Sequence, residues 1–78
     1  MEGRVYSEIL RRVEGRREAN VIPEHTTLLG LRRWAYSGGI PEETLLRSLS
    51  GLRRQGRILV GRTLNDWWIK PAESESAK

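Results

Sequence analysis

The chain has no cysteine and no phenylalanine, and its 78 residues include one histidine, one methionine and three prolines. Without cysteine there can be no disulfide, no thiolate nucleophile and no thiolate metal site. The lone histidine, His25, sits in a Pro-Glu-His-Thr loop. It has no partner for a metal and no Ser/His/Asp set to join. No phosphate-cradling glycine loop occurs either, so the expectation is a non-enzyme without metal or cofactor. No window approaches the roughly 18 apolar residues of a membrane span. The opening Met1-Glu2-Gly3-Arg4 is charged and lacks the apolar run of a secretion signal. A cytoplasmic protein is expected.

What the chain does have is positive charge, and most of it is arginine. Fourteen basic residues face ten acidic ones, for a net +4, and twelve of the fourteen are arginine. Arginine makes bidentate contacts to phosphate and guanine that lysine cannot match. A GC-rich coding sequence would give the same bias. Residues 71–78 carry two acids and one base, so residues 1–70 hold a net +5. Such a balance favours a nucleic-acid partner. The length suits one domain, which buries only roughly 60% of its unfolded surface. Residues 1–70 read as that domain and 71–78 as a disordered tail.

Apolar spacing divides the chain into elements. Val5, Tyr6, Ile9, Leu10 and Val13 form one face of a helix over about 4–14, extendable to Glu18. Glu8 and Arg12 pair on its outer face. Val21-Ile22-Pro23 reads as extended, because the residue before proline avoids the α region. Thr26 or Thr27 caps a second helix over Leu28 to Ser37, stopped by Gly38-Gly39. Pro41 suits the first position of a third helix, with Glu42 and Glu43 at its positive end. Leu45, Leu46, Leu49 and Leu52 form its buried stripe, and Thr44, Arg47, Ser48, Gly51 and Arg54 face outward. Beyond Gly56, Ile58 and Val60 alternate with Arg57, Leu59 and Gly61 as a half-buried strand. Asn65-Asp66 turns the chain into a return strand, Trp67 to Lys70, ended by Pro71. The two tryptophans point to opposite faces, one of them into the core.

This order of elements, together with specific residues, resembles the winged helix-turn-helix family. Ala35-Tyr36-Ser37-Gly38-Gly39-Ile40 has the family's small alanine, then three residues, then glycine and an aliphatic residue. The segment from Ile40 to Ile58 resembles the recognition helix of catabolite-activator-type bacterial regulators. Glu43, Thr44, Arg47, Leu49, Leu52, Gly56 and Ile58 stand in the matching positions. The likeness covers residues 26–70. It implies an α+β fold of three helices with a C-terminal β-hairpin wing, and a small double-stranded DNA-binding protein that regulates transcription. The expected source, for a chain read as this small and without a sensor domain, is a phage, plasmid or archaeal regulator.

The resemblance also assigns roles. Helix 41–55 would enter the major groove, Glu43 accepting from cytosine and Arg47 reading guanine. Thr44 would hold a phosphate, with Ser48 beside it on the outward face. Arg32, Arg33 and Arg54 add basic surface, and the hairpin contributes Arg57, Arg62, Thr63 and Asn65 along the backbone. Glu42 departs from the family pattern, which has an arginine there. A homodimer through residues 4–14, with Tyr6 exposed, would suit palindromic sites. The rival expectation is a protein-interaction module of the same fold, such as a phage-encoded inhibitor of a host complex, using the acidic helix start and an exposed tryptophan.

Overall fold

Three helices and three short strands follow one another as α1 (Glu2–Glu18), β1 (Thr26–Thr27), α2 (Leu28–Ser37), α3 (Glu42–Arg54), β2 (Ile58–Arg62) and β3 (Trp67–Pro71). The computed structural model describes residues 1–21 and 25–72. The extended piece expected at Ile22-Pro23 and the tail from residue 73 lie outside them. The layout is an α+β winged helix-turn-helix. None of the described helices is long and apolar enough to cross a membrane.

All three helices stop by the same device. The residue after each C-cap is left-handed: Asn20 at φ 58°, Gly39 at 74° and Gly56 at 76°. Its amide and the next one turn back onto the last helical carbonyls. Asn20 donates to Arg17 and Val21 to Arg16; Gly39 to Tyr36 and Ile40 to Ala35; Gly56 to Arg53 and Arg57 to Leu52. This double bond pattern satisfies carbonyls that a helix end would leave orphaned. Glycine and asparagine are the residues that reach this region cheaply. The Gly39 stop directs the chain from α2 into α3, which sets the turn between them.

Helix starts are less uniform. The Thr27 side chain caps α2, accepting from the Gly30 amide at 3.1 Å. Pro41 is the N-cap of α3 rather than its first residue, so the helix opens on Glu42 and Glu43. Helix α1 begins at Glu2, ahead of the expected start at residue 4, and runs through Gly15 to Glu18, the longer of the two expected ends. Glu2 in its first turn and Arg16 and Arg17 in its last complement the helix dipole.

The sheet has three strands, not two. Strand β3 is central and antiparallel to both neighbours. Thr26 faces Ile69 and Thr27 faces Trp68 on one side, while the pairs on the other run from Ile58–Pro71 to Arg62–Trp67. Pro71 therefore belongs to the strand, buried at its end, and Ala72 extends the ladder through a bond to the Arg57 carbonyl at 2.9 Å. Proline is tolerated there because a strand end needs no further donor.

The core takes Val5, Ile9 and Val13 from α1, Leu31 and Ala35 from α2, and Leu45, Leu49 and Leu52 from α3. Ile40, Ile58 and Ile69 close it. Four expectations about facing are corrected. Leu46 is not in the buried stripe but 40% exposed, and Ser48 is buried at 5%. The buried arc of α3 is turned toward α1, whose Glu2 side chain packs on Gly51 and accepts from Gln55. Ser48, one turn earlier, is small enough to sit inside, and its hydroxyl donates to the Thr44 carbonyl at 2.9 Å. Glu8 is on the inner side of α1, 7% exposed. Neither Trp67 nor Trp68 belongs to the core cluster; Ile69, two residues on from Trp67 and on the same face of β3, is the core residue of that strand.

Candidate nucleic-acid interface

The outer face of α3 presents Glu43 and Arg47 one turn apart. Both are well exposed, and the arginine Nη2 lies 3.3 Å from the Glu43 carboxylate. A solvated i,i+4 pair of this kind contributes only about 0.3–0.5 kcal/mol, so either partner can be drawn off by a stronger one. Thr44 is half-buried on the α1 side of that face. Ser48 is removed from the expected site: its buried hydroxyl is committed to the helix backbone.

The acidic start of α3 has a partner too. Arg32 of α2 reaches the Glu42 carboxylate at 2.8 Å, bridging the two helices of the helix-turn-helix. The charge that departs from the regulator pattern is thus matched internally, and Arg32 is engaged rather than offered. Arg33 lies exposed on α2.

The hairpin separates its two arginines. Arg57, at the base of β2, stacks over the Tyr6 ring of α1 at 4.1 Å. Arg62, at the other end, stacks over Trp67 at 5.2 Å. Five strand residues put them on the order of 16 Å apart, so they do not form one patch. The Tyr6 ring is covered by this contact and by the core. The exposed residues of α1 between 4 and 14 are polar, among them Arg4, Ser7, Arg11 and Glu14, so the face expected for a dimer has no exposed aromatic ring.

Thr63 and Asn65 lie in a tight turn. The Thr63 hydroxyl accepts from the Asp66 amide at 2.9 Å, and the Thr63 amide donates to the Asp66 carbonyl at 2.8 Å. Asn65 stays exposed. The Asp66 carboxylate faces two ways, accepting from its neighbour Trp67 at 2.7 Å and from the Leu29 amide at 3.4 Å. Leu29 lies in the first turn of α2, where winged helices commonly meet a phosphate. An acid from the hairpin turn stands there instead, in the favourable field of the helix N-terminus.

Sequence reasoning passed over the feature that joins α3 to the hairpin. A groove of about 230 Å³ runs between them, lined by Leu28, Leu46, Leu49, Val60, Trp67 and Ile69, with Ser50 and Arg53 on its helix side. Arg53, the neighbour of Arg54, is not among the expected site residues. Its place on the groove follows from the turn of α3 that also exposes Leu46.

Six basic residues stand against three acidic ones from Glu42 to Ala72. Arg47 is paired with Glu43, but Arg53 and Arg54 have neither a carboxylate nor a ring partner among the described residues, and neither does Arg33. Among the described residues, Arg62 and Lys70 meet only the rings of Trp67 and Trp68. His25 packs against Trp68, ring centroids 5.7 Å apart. Among the described residues no cluster of three or more His, Cys, Asp or Glu could hold a metal. No family model, curated protein or solved structure matches this chain, and the functional reading stands on its geometry.

Proposed function

We propose that the chain binds double-stranded DNA as a small transcriptional regulator, with α3 in the major groove and the β2–β3 turn against the backbone. The observation that carries this is a set of exposed arginines on α3 and the hairpin with no carboxylate partner among the described residues: Arg53 lines the groove between the two elements, Arg62 covers Trp67 on its hairpin side, and Arg54 is exposed on α3. Elsewhere the arginines of α1 and α2 are largely held by carboxylates: Arg11 and Arg12 by Glu8, and Arg32 by Glu42. Charge left unmatched on the two elements that flank a groove is what a phosphate backbone requires. Glu43 and Arg47 supply the base-edge chemistry, since their mutual pair is weak enough to open against cytosine and guanine.

A salt titration with random duplex DNA tests the reading. About four to six phosphate contacts give a log–log slope of affinity near −4 to −5. No binding at low salt overturns it.

A further inference from the structure

We propose that the groove between α3 and the hairpin is a docking site for an acidic amphipathic segment of a partner protein. Its floor is apolar: Leu28, Leu49, Val60 and Ile69 lie beneath, while Leu46 and Trp67 stand partly exposed at its sides. A phosphodiester backbone finds donors only at the rims, in Arg53, Arg62 and the Ser50 hydroxyl, and nothing to bond on the floor. A base laid on Trp67 would leave its polar edges against leucine and valine, which costs free energy. Apolar side chains fit. At about 230 Å³ the groove is smaller than a drug-sized site, which starts near ~300 Å³. It takes anchor side chains from one face of a helix, in the manner of helix-in-groove recognition.

The charge of the occupant follows from the rims. Arg53 lines the groove on the α3 side, and Arg62 covers the Trp67 ring on the hairpin side. Neither has a carboxylate among the described residues, whereas Arg32 and Arg47 on the neighbouring surface both do. An apolar seam between two unmatched arginines is complementary to a helix with an apolar stripe flanked by Glu or Asp. Such complementarity sets partner choice and on-rate. Because the groove lies between the elements assigned to DNA, its occupant would exclude the duplex and act as a regulator. Only that consequence rests on the DNA reading.

The test is selection of 16-residue peptides from a random displayed library on the full chain, without DNA. Recovered peptides should carry apolar residues three or four apart with acidic neighbours. Their affinity should fall roughly tenfold or more for Leu46→Asp, an anchor contact, and roughly threefold or more for Arg53→Glu. Both residues are exposed, and circular dichroism verifies that each variant is folded. Recovery of no peptide, a set without acidic bias, or affinities indifferent to Leu46→Asp would overturn the proposal. So would a random duplex that shifts the Trp67 indole resonance in place of any peptide, because the groove would then belong to nucleic acid. Failure of duplex binding alone leaves the peptide result intact and removes only the DNA reading.

Discussion

Glu8 is the one carboxylate buried among the described residues. It accepts from Arg11 at 3.1 and 2.8 Å and from Arg12 at 2.7 Å. Burial pushes its carboxyl up, but the Arg11 and Arg12 bonds and charges outweigh this and hold it below its ordinary value of 4.5. A lowered folded pKa gives stability that is present above the ordinary value and lost as pH falls through the folded one. Denaturant melts between pH 7 and 3 should show that loss, and Glu8→Gln should flatten it. At pH 7 the substitution should cost about 1 kcal/mol, because both arginines remain hydrated without it. Two glycines make an opposed pair. The Trp68 indole lies directly against Gly61, so a methyl there forces the ring aside. Gly61→Ala should lower stability by about 1–3 kcal/mol, as overpacking does. At Gly51 the obstacle is only the movable end of the Glu2 side chain. Gly51→Ala should therefore raise stability by about 0.5 kcal/mol through helix propensity. A thermal melt separates the two, since about 1 kcal/mol shifts the midpoint of a domain this size by roughly 4–8 °C.

Among the elements, α3 carries most of the functional argument. If the duplex is its ligand, Glu42→Gln should release Arg32, raise affinity for random DNA roughly two- to fivefold and steepen the salt slope by about one. Arg47→Ala should weaken a site selected from random duplexes by about 1–3 kcal/mol while sparing random DNA, and Arg62→Ala should weaken both alike. Equal losses on selected and random duplexes for Arg47→Ala would demote Arg47 to a phosphate contact. The ends of α2 and α3 were legible in the sequence because Gly39 and Gly56 are stop signals in their own right, whereas the start of α1 was not. The rotation of α3 was not. Leucines at 45, 46, 49 and 52 define an apolar arc, but which edge is covered depends on where α1 crosses, and α1 chose Ser48 over Leu46. For the same reason the α3 side of the groove escaped notice. The tryptophans were read correctly as lying on opposite faces. Trp67, however, sits on the inner face beyond the packed part of the core, at the open end between α3 and the hairpin. Strand β1 is two threonines long, too short for any period, and one of them is also the cap of α2.

At the scale of the whole molecule, β3 ties the parts together. It pairs with the residues that lead directly into α2 and with the strand that follows α3. The Asp66 contact to Leu29 fastens the hairpin turn to the same helix start. The helix-turn-helix and the wing should therefore open as one unit. Native-state hydrogen exchange should give Leu31 and Ile69 amides the same opening free energy, and a gap above about 1 kcal/mol between them would show two separate units. The central position of β3 also has a consequence for synthesis. Thr26 pairs with Ile69, 43 residues further along. At ~5–20 residues per second, β1 waits roughly two to nine seconds on the ribosome for its partner. Until β3 is made, α1, and then α2 and α3 as they are synthesised, have no sheet to cover their apolar faces.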